Sequence, residues 1–431
     1  MARFVCKYKL DEVPPPLELF LFGLQWLAIL IPSIVIIGKV LAGFHHQGAA
    51  EQLSYMQKAF FVTALALLGQ VLWGHRLPLI IGPASVLLVG MASGSQGEPK
   101  AVYTSIMICG ILYFLLAATG FFGYLIRLFT PRVIAVILVL IALTMSPIIM
   151  NLIITPVLQA SALFNLFFAL ALLLCIFVST RLLSGVWKSA LVVWATLAGC
   201  LAYYIFFPEQ FRWETGGLDY ISASFFSLSG YNFALDLPVL LSLLVCFLAL
   251  AINDLGSIQS VCGLIEPERM EQRITRGLSA TGLSNGLAGM LGVVGLVNYS
   301  LSPGVIVPTS CASRYTLVPA GLGLLVISFC PPVVALFDLI PRVVIGSVLL
   351  YIMSSQIAAG LMVAFSSIKI GFNDGLVIGL PFMLGILVSF LPAEVTGSFP
   401  IFIRPLLGNG FVVGVLAVLF LEHVVRLADV S

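Results

Sequence analysis

Apolar runs of about twenty residues, the length that crosses a bilayer as a helix, recur along this chain from residue 17 to residue 426. No other feature narrows its possible folds so far. In hydrocarbon every backbone N–H and C=O must be satisfied within the protein, so only helices and closed barrels span. Runs this long, without strict alternation, read as helices. Composition agrees, with 61% hydrophobic and 9% charged residues against about 25% charged in a soluble domain. Mean hydropathy is +1.15. The expected class is therefore an all-α polytopic membrane protein embedded in a lipid bilayer. A net charge of +2 without any basic run gives no reason to expect nucleic acid. The eight cysteines stand singly, with no CxxC pair and no His/Cys cluster, and read as packing residues. No cofactor or metal is expected. The N-terminus MARFVCKYKLDEVPPP shows no cleavage site after the first apolar run, which reads as a retained helix and not a signal peptide.

Fourteen segments follow, near 17–43, 58–74, 79–94, 102–126, 132–153, 162–181, 188–207, 238–263, 275–293, 296–312, 315–337, 341–364, 374–391 and 408–426. With the N-terminus inside, alternation puts fourteen Lys and Arg on the inner side and six on the outer. Arg3, Arg127, Lys369 and Arg426 fall inside, Arg212 outside. That asymmetry follows the positive-inside rule, and a missed or extra span would scramble it. Both termini are expected in the cytoplasm. Accordingly, cysteines at Gln96 and Gln210 should label from outside and one at Met270 from inside.

Seven segments lie on each side of the polar loop 208–237, so the halves run in opposite orientation, the 7+7 inverted repeat of many secondary transporters. FFVTALALLGQVLWGHR leads into LPLIIGPASVLLVG in the first half, and RGLSATGLSNGLAGMLG into LVNYSLSPGVIVPTS in the second. The third and tenth segments are short and broken at Gly82-Pro83 and Pro303-Gly304. Residues near 82–86 and 299–304 are expected to be extended, because Pro cannot continue a ladder and Gly tolerates unusual φ. Each break leaves a short β-strand and a half-helix with free N–H groups at its start. Two such segments crossing would make a polar pocket at mid-membrane. Segments 132–153, 162–181 and 341–364 carry few polar residues, which suits a lipid-facing scaffold.

The chemistry concentrates between Leu248 and Arg314. Asn253 and Asp254 stand adjacent inside an apolar span, where a charge costs about 2.5–3.5 kcal/mol or more. Asp254 is a candidate proton acceptor; the alternative is a paired acid that stabilises the core. Adjacent helical positions diverge by about 100°, so only one of the two faces a pocket squarely. Asn253 can donate and accept at once, matching the N–H/C=O edge of an amide-like ring; the alternative is interhelical hydrogen bonding. Ser85, Val86, Ser257, Asn298, Ser300, Leu301 and Ser302 are candidate pocket residues, with Thr281 in support. The hydroxyls can equally bond their own backbone. Tyr299 can stack on a planar ring or pack in the core. His75 with Arg76 reads as an interfacial anchor at the inner end of helix two, and Asp338 and Asp374 as solvated helix-end acids. No P-loop, HExxH or nucleophile–base constellation is present, so an enzyme is not expected.

These residues carry a resemblance. GLQW (Gly23 to Trp26), NDLGSI (Asn253 to Ile258), Thr281-Gly282-Leu283, NYSLSPGVIVPTSCASR (Asn298 to Arg314) and RPLLGNGFVVG (Arg404 to Gly414) are similar, in order, to motifs of the nucleobase–ascorbate transporter family (nucleobase:cation symporter-2), which includes bacterial uracil and purine permeases. The resemblance implies a core domain in two parts, 17–130 and 238–338, and a gate domain in two parts, 131–207 and 339–431, with 208–237 as an outer loop. It implies a small-molecule substrate held between the paired strands of segments three and ten, a proton (or sodium) as coupling ion, and a homodimer through the gate domains. It also implies residence in a bacterial inner membrane. The departures are specific. The family's eighth-helix Glu is Asn253, its first-helix His is Trp26, the tenth-segment Glu or Gln aligns with Leu301, the Arg after Thr309 is Ser310, and the third-segment aromatic aligns with Ser85.

The reading that follows is an importer of a nucleobase-like solute, proton-coupled through Asp254 and working by elevator movement. Two rivals stand beside it. One is a carrier of a small organic or inorganic anion on the same fold. The other is an uncoupled facilitator or channel.

Overall fold

The computed structural model describes residues 6–46, 48–93, 98–120, 130–155, 160–184, 187–188, 190–211, 219–226, 233–367, 371–400 and 403–425. Arg3, Arg127, Arg212, Lys369 and Arg426, counted in the charge asymmetry, and the labelling position Gln96 lie outside them.

Each expected segment has its counterpart. Segments one and two are α1 (Pro16–His45) and α2 (Ala49–Leu72). Segment three is β1 (Ile81–Pro83) with α3 (Ser85–Ser93), and segment four is α4 (Pro99–Ala118). Segment five is α5 (Pro131–Thr144) with α6 (Ser146–Ile154); α7 (Ala162–Leu182) and α8 (Leu191–Phe206) complete the first half. Segments eight and nine are α9 (Leu237–Ile265) and α10 (Met270–Met290). Segment ten is β2 (Leu296–Asn298) with α11 (Pro303–Thr309). Segment eleven is α12 (Leu317–Ser328) with α13 (Pro331–Leu336), and α14 (Arg342–Ser367) is the twelfth. Segment thirteen is α15 (Phe372–Ser389). After the short α16 (Ala393–Ser398), segment fourteen comprises α17 (Arg404–Leu407) and α18 (Gly410–Phe420). Among the described residues, seven helical stretches are long and apolar enough to cross a membrane, six of them single helices and the seventh α5 with α6.

The packing obeys the expected repeat. Adding seven to a first-half segment number gives its mate. α4 packs along α10 and α2 along α12, two contacts that the exchange converts into each other. The same holds for α5 with α15 and α7 with α14. Such reciprocity is what an inverted repeat requires.

Three features depart from the expectation. Segment eleven is not one rod: the chain bends by 95° between Ser328 and Pro331, where Pro331-Pro332 supply no N–H to continue the ladder. Segment 132–153 is not lipid-facing; Val133, Val136, Leu140 and Ile141 are fully or nearly fully buried among α14, α15 and α18. Apolar side chains suit lipid and protein neighbours equally, so low polarity alone does not separate the two. α7 does expose Leu163, Phe167, Leu170 and Leu174. Third, Asp374 is a half-buried ion-pair partner and not a solvated acid: Arg132 bonds it at 3.0 Å and Glu422 at 3.0 Å. Asp338 stays half exposed beside Lys39.

The N-terminal residues 7–14 form a strap across the end of α11. Lys7 N–H donates to Ser310 O at 2.7 Å, Ala312 N–H to Tyr8 O at 2.9 Å, and Arg314 N–H to Leu10 O at 3.1 Å. Arg314 Nε also reaches Asp11 at 2.7 Å.

Candidate substrate site

The two broken segments meet as an antiparallel pair, Ile81 opposite Asn298, Gly82 opposite Val297 and Pro83 opposite Leu296. Tyr299 N–H to Ile80 O (2.8 Å) and Ala84 N–H to Gly295 O (2.9 Å) bracket it. The strands sit earlier than expected. β2 ends at Asn298, residues 300–302 form a turn, and helix resumes at Pro303; on the other side helix begins at Ser85. Proline explains the shift: its missing N–H is harmless at the first helical position, where no partner exists. Pro303 therefore starts α11 and does not lengthen the strand. Gly82 is required by a close approach. The Tyr299 ring lies where a Cβ would sit, 2.7 Å from the phenol oxygen, and that hydroxyl donates to Pro83 O at 2.7 Å. Tyr299 thus pins the two half-segments together.

A two-stranded sheet inside a membrane leaves two open edges, and their polar groups need partners. On the β2 edge the side chains of neighbouring helices supply them. Asn285 of α10 accepts from Leu296 N–H (2.8 Å) and donates to Leu296 O (2.9 Å). Asp254 of α9 accepts from Asn298 N–H at 3.0 Å. The same carboxylate oxygen takes Asn298 Nδ2 at 2.6 Å, and the other takes the Tyr113 hydroxyl at 3.1 Å. The Thr281 hydroxyl faces it too. Asp254, Thr281 and Asn298 are fully buried. Every contact on this carboxylate comes from a donor, an arrangement that fits its ionised form. Hydrogen bonds to a charged group contribute about 1.5–3 kcal/mol each and so oppose the cost of burying the charge.

The remaining candidates divide into two sets. Asn253 is half-buried, its side chain making no hydrogen bond among the described residues, and Ser85 at the start of α3 is also half-buried. Ser300 is exposed and Leu301 strongly so, on the turn after β2. The other set is sealed. Val86 and Ser257 are buried, and the Ser257 hydroxyl donates to Asn253 O at 2.8 Å. Ser302 accepts from Ile80 N–H at 3.1 Å, tying the turn after β2 to the start of β1. Gly82 and Pro83 lie in β1; Pro303 and Gly304 open α11.

His75 is where the sequence reading misled. It is fully buried, not an interfacial anchor. Past the end of α2 the chain turns sharply, with Arg76 in the left-handed region at φ 55°, a conformation costing about 1–2 kcal/mol for a side chain of this kind. Arg273 of α10 holds the turn, donating to His75 O at 3.2 Å and Arg76 O at 2.9 Å. Gly74 leaves room for Gln70, whose Oε1 would lie 2.2 Å from a Cβ there. The turn aims the imidazole at Asn298. A positive-φ Arg cannot be read from sequence, although Gly74 just beyond a helix was a visible stop signal.

A cavity of about 1000 Å³ lies elsewhere, around the C-terminal end of α1 and the start of α2. Lys39, Gln52, Asn151, Asn165, Tyr204 and Arg342 line it, so both halves of the chain contribute; none of the candidate contacts does. Burial pulls His46, in the turn between α1 and α2, below its ordinary imidazole value; Asp338 also lines the cavity, paired with Lys39 at 3.4 Å.

A family model described as "Permease family" (Xan_ur_permease) matches residues 17–394. The chain is 27% identical over 420 residues to the uric acid permease PucJ of Bacillus subtilis (strain 168), covering 93% of this chain and 90% of that one. It is 25% identical over 410 residues to the nucleobase transporter PlUacP of Paenibacillus larvae, covering 92% and 90%. Among solved structures, the transmembrane domain of a cyanobacterial bicarbonate transporter, BicA, superposes with a TM-score of 0.63 at 17% identity, over 89% of this chain and 98% of that one. At that identity the likeness speaks for the fold alone.

Proposed function

The chain belongs to the Permease family matched over residues 17–394, and from that premise we propose that it imports a nucleobase-like solute across a bacterial inner membrane. The observation that carries this reading is the crossing of β1 and β2, with a buried carboxylate beneath it and the half-buried Asn253 beside it. The substrate contacts are Asn253, Ser85, Ser300 and Leu301, the candidates that keep accessible surface. Asn253 offers one donor and one acceptor to the ring edge. Asp254 and Asn298 lie behind them. Asp254 carries the coupling proton, and its release changes the bonding of β2, which binds the two half-segments. The relatives named for uric acid and nucleobases support this substrate class. Gln52, Asn151 and Arg342 in the cavity between the halves offer donors to a carbonyl-rich solute.

The division into a core domain (17–130 and 238–338) and a gate domain (131–207 and 339–431) is the natural frame for an elevator movement. The packing of α4 on α10 and α2 on α12, against that of α5 on α14, α15 and α18, supports it. Both termini are cytoplasmic in this reading, and the protein pairs as a homodimer through its gate domains. Uptake of labelled uric acid, xanthine, hypoxanthine, guanine, uracil and sulfate into proteoliposomes, with and without a pH gradient, tests the whole. Accumulation of a purine or pyrimidine driven by an inward proton gradient is expected. Accumulation of sulfate alone refutes the reading in favour of an anion carrier.

A further inference from the structure

Two buried polar atoms next to the Asp254 carboxylate lack a partner within normal hydrogen-bond geometry: Asn298 Oδ1 and His75 Nε2. They belong to side chains that face each other. The tautomer of the neutral ring follows from its other nitrogen. His75 Nδ1 accepts Leu77 N–H at 3.0 Å, so the proton sits on Nε2 and points at Asn298. The His75 backbone N–H is fixed separately, by Gln70 Oε1 at 3.3 Å, and Gln70 also donates to Thr281 Oγ1 at 2.8 Å. The imidazole therefore stands on a rigid mount built from α2, the left-handed turn at Arg76 and Arg273.

We infer that His75 is a positioning residue that sets the proton affinity of Asp254 through Asn298. The Asn298 amide has two orientations. With Oδ1 toward the His75 N–H, its NH2 group must face the carboxylate, where it donates at 2.6 Å. Turned over, it would set Oδ1 against Asp254, an arrangement tolerable only if the acid is protonated and donates. By holding the first orientation, His75 favours the ionised acid without touching it. The titratable or charged groups facing this chain are Tyr113, which donates to Asp254 from α4, and Arg273, which caps the His75 carbonyl from α10; neither determines which way the amide turns, whereas Thr281 Oγ1, accepting from Asn298 Nδ2 at 3.3 Å, favours the same orientation as His75.

The transport consequence rests on Asp254 being the coupling acid, but the inference itself is read directly from Asp254. Infrared difference spectra of the purified full-length protein across a pH series report the carboxylic C=O stretch of this residue, assigned by its loss in Asp254→Asn. Two substitutions separate the functions of the two ring nitrogens. His75→Asn keeps an acceptor for Leu77 N–H and is too short to reach Asn298. His75→Gln keeps a donor at the Nε2 position and gives up the Nδ1 acceptor. The midpoint is expected to rise by about one pH unit in His75→Asn, a tenfold gain in proton affinity, and to stay near wild type in His75→Gln. The reverse pattern, or an unmoved midpoint in both, overturns the inference and reduces His75 to a cap for Leu77. Uptake that stays proton-driven in Asp254→Asn would instead sink the coupling role of the acid and leave the spectroscopic result standing.

Discussion

Replacing Asp254 by Asn separates the structural task of this residue from its proposed coupling task. In the structure the carboxylate accepts three hydrogen bonds, from Asn298 N–H, Asn298 Nδ2 and the Tyr113 hydroxyl. Truncation to Ala strands all three donors in a dry interior at about 1–3 kcal/mol each, roughly 3–9 kcal/mol in total, and is expected to unfold the strand pair. Asparagine avoids this. Its carbonyl oxygen keeps both Asn298 bonds, and its NH2 replaces the oxygen opposite Tyr113, whose hydroxyl can turn from donor to acceptor. Lost charge assistance and the removed desolvation penalty oppose each other, so the net stability change is expected within about 1 kcal/mol. What disappears is titration. In proteoliposomes under a one-unit pH gradient, a one-proton symporter sustains up to about tenfold accumulation. Wild type is expected to approach that ratio. Asp254→Asn is expected to stop at an inside-to-outside ratio of about one while still exchanging labelled for unlabelled substrate. Accumulation well above unity in the variant, with unchanged pH dependence, would refute the coupling role of Asp254.

Asn253→Ala leaves the substrate edge unpaired and should weaken binding by about 1–3 kcal/mol, or about 5- to 150-fold; equilibrium binding by scintillation proximity measures it, and Asn253→Asp, which loses the donor, should also bind worse. Asn285→Ala exposes both polar groups of Leu296 on the β2 edge and should destabilise the protein by about 2–4 kcal/mol in reversible unfolding in mixed micelles; a loss below about 0.5 kcal/mol would mean that water already reaches this edge. In a cysteine-free background, a cysteine at Gln210 should react with a membrane-impermeant maleimide from outside and one at Met270 only from inside. Labelling of Met270 from outside would end the proposed orientation.

Much of the architecture is legible in the residues because the bilayer imposes it. Segment length, charge asymmetry and the two Gly/Pro breaks each record a demand of the membrane, and all fourteen elements have counterparts. What escapes is local. Pro331-Pro332 was a visible breaker inside segment eleven, masked by the high hydropathy around it. The strand positions shift because proline prefers to begin a helix, a choice made between two permitted places. Asp254 and Asn253 differ by one position, and helical geometry gave the divergence of their faces but not the partners. Asn298 was read as lining a pocket because it is polar and near the break; its neighbour on α9 takes both its backbone N–H and its amide NH2, through Asp254. His75 depends on a backbone conformation that no side-chain pattern encodes.

The strap over residues 310–314 bears on the order in which the protein is made. Ser313 and Arg314 are about 300 residues downstream of the acceptors at Glu12 and Asp11. At about 5–20 residues per second, Asp11 and Glu12 wait roughly 15–60 s before their partners leave the ribosome. Through that interval every helix up to α11 is inserted while residues 7–14 hold no docking place. Residues 7–14 are thus among the last to settle, and they join a first-half segment to a second-half element, α11. Docking of the strap therefore reports that both halves have come together.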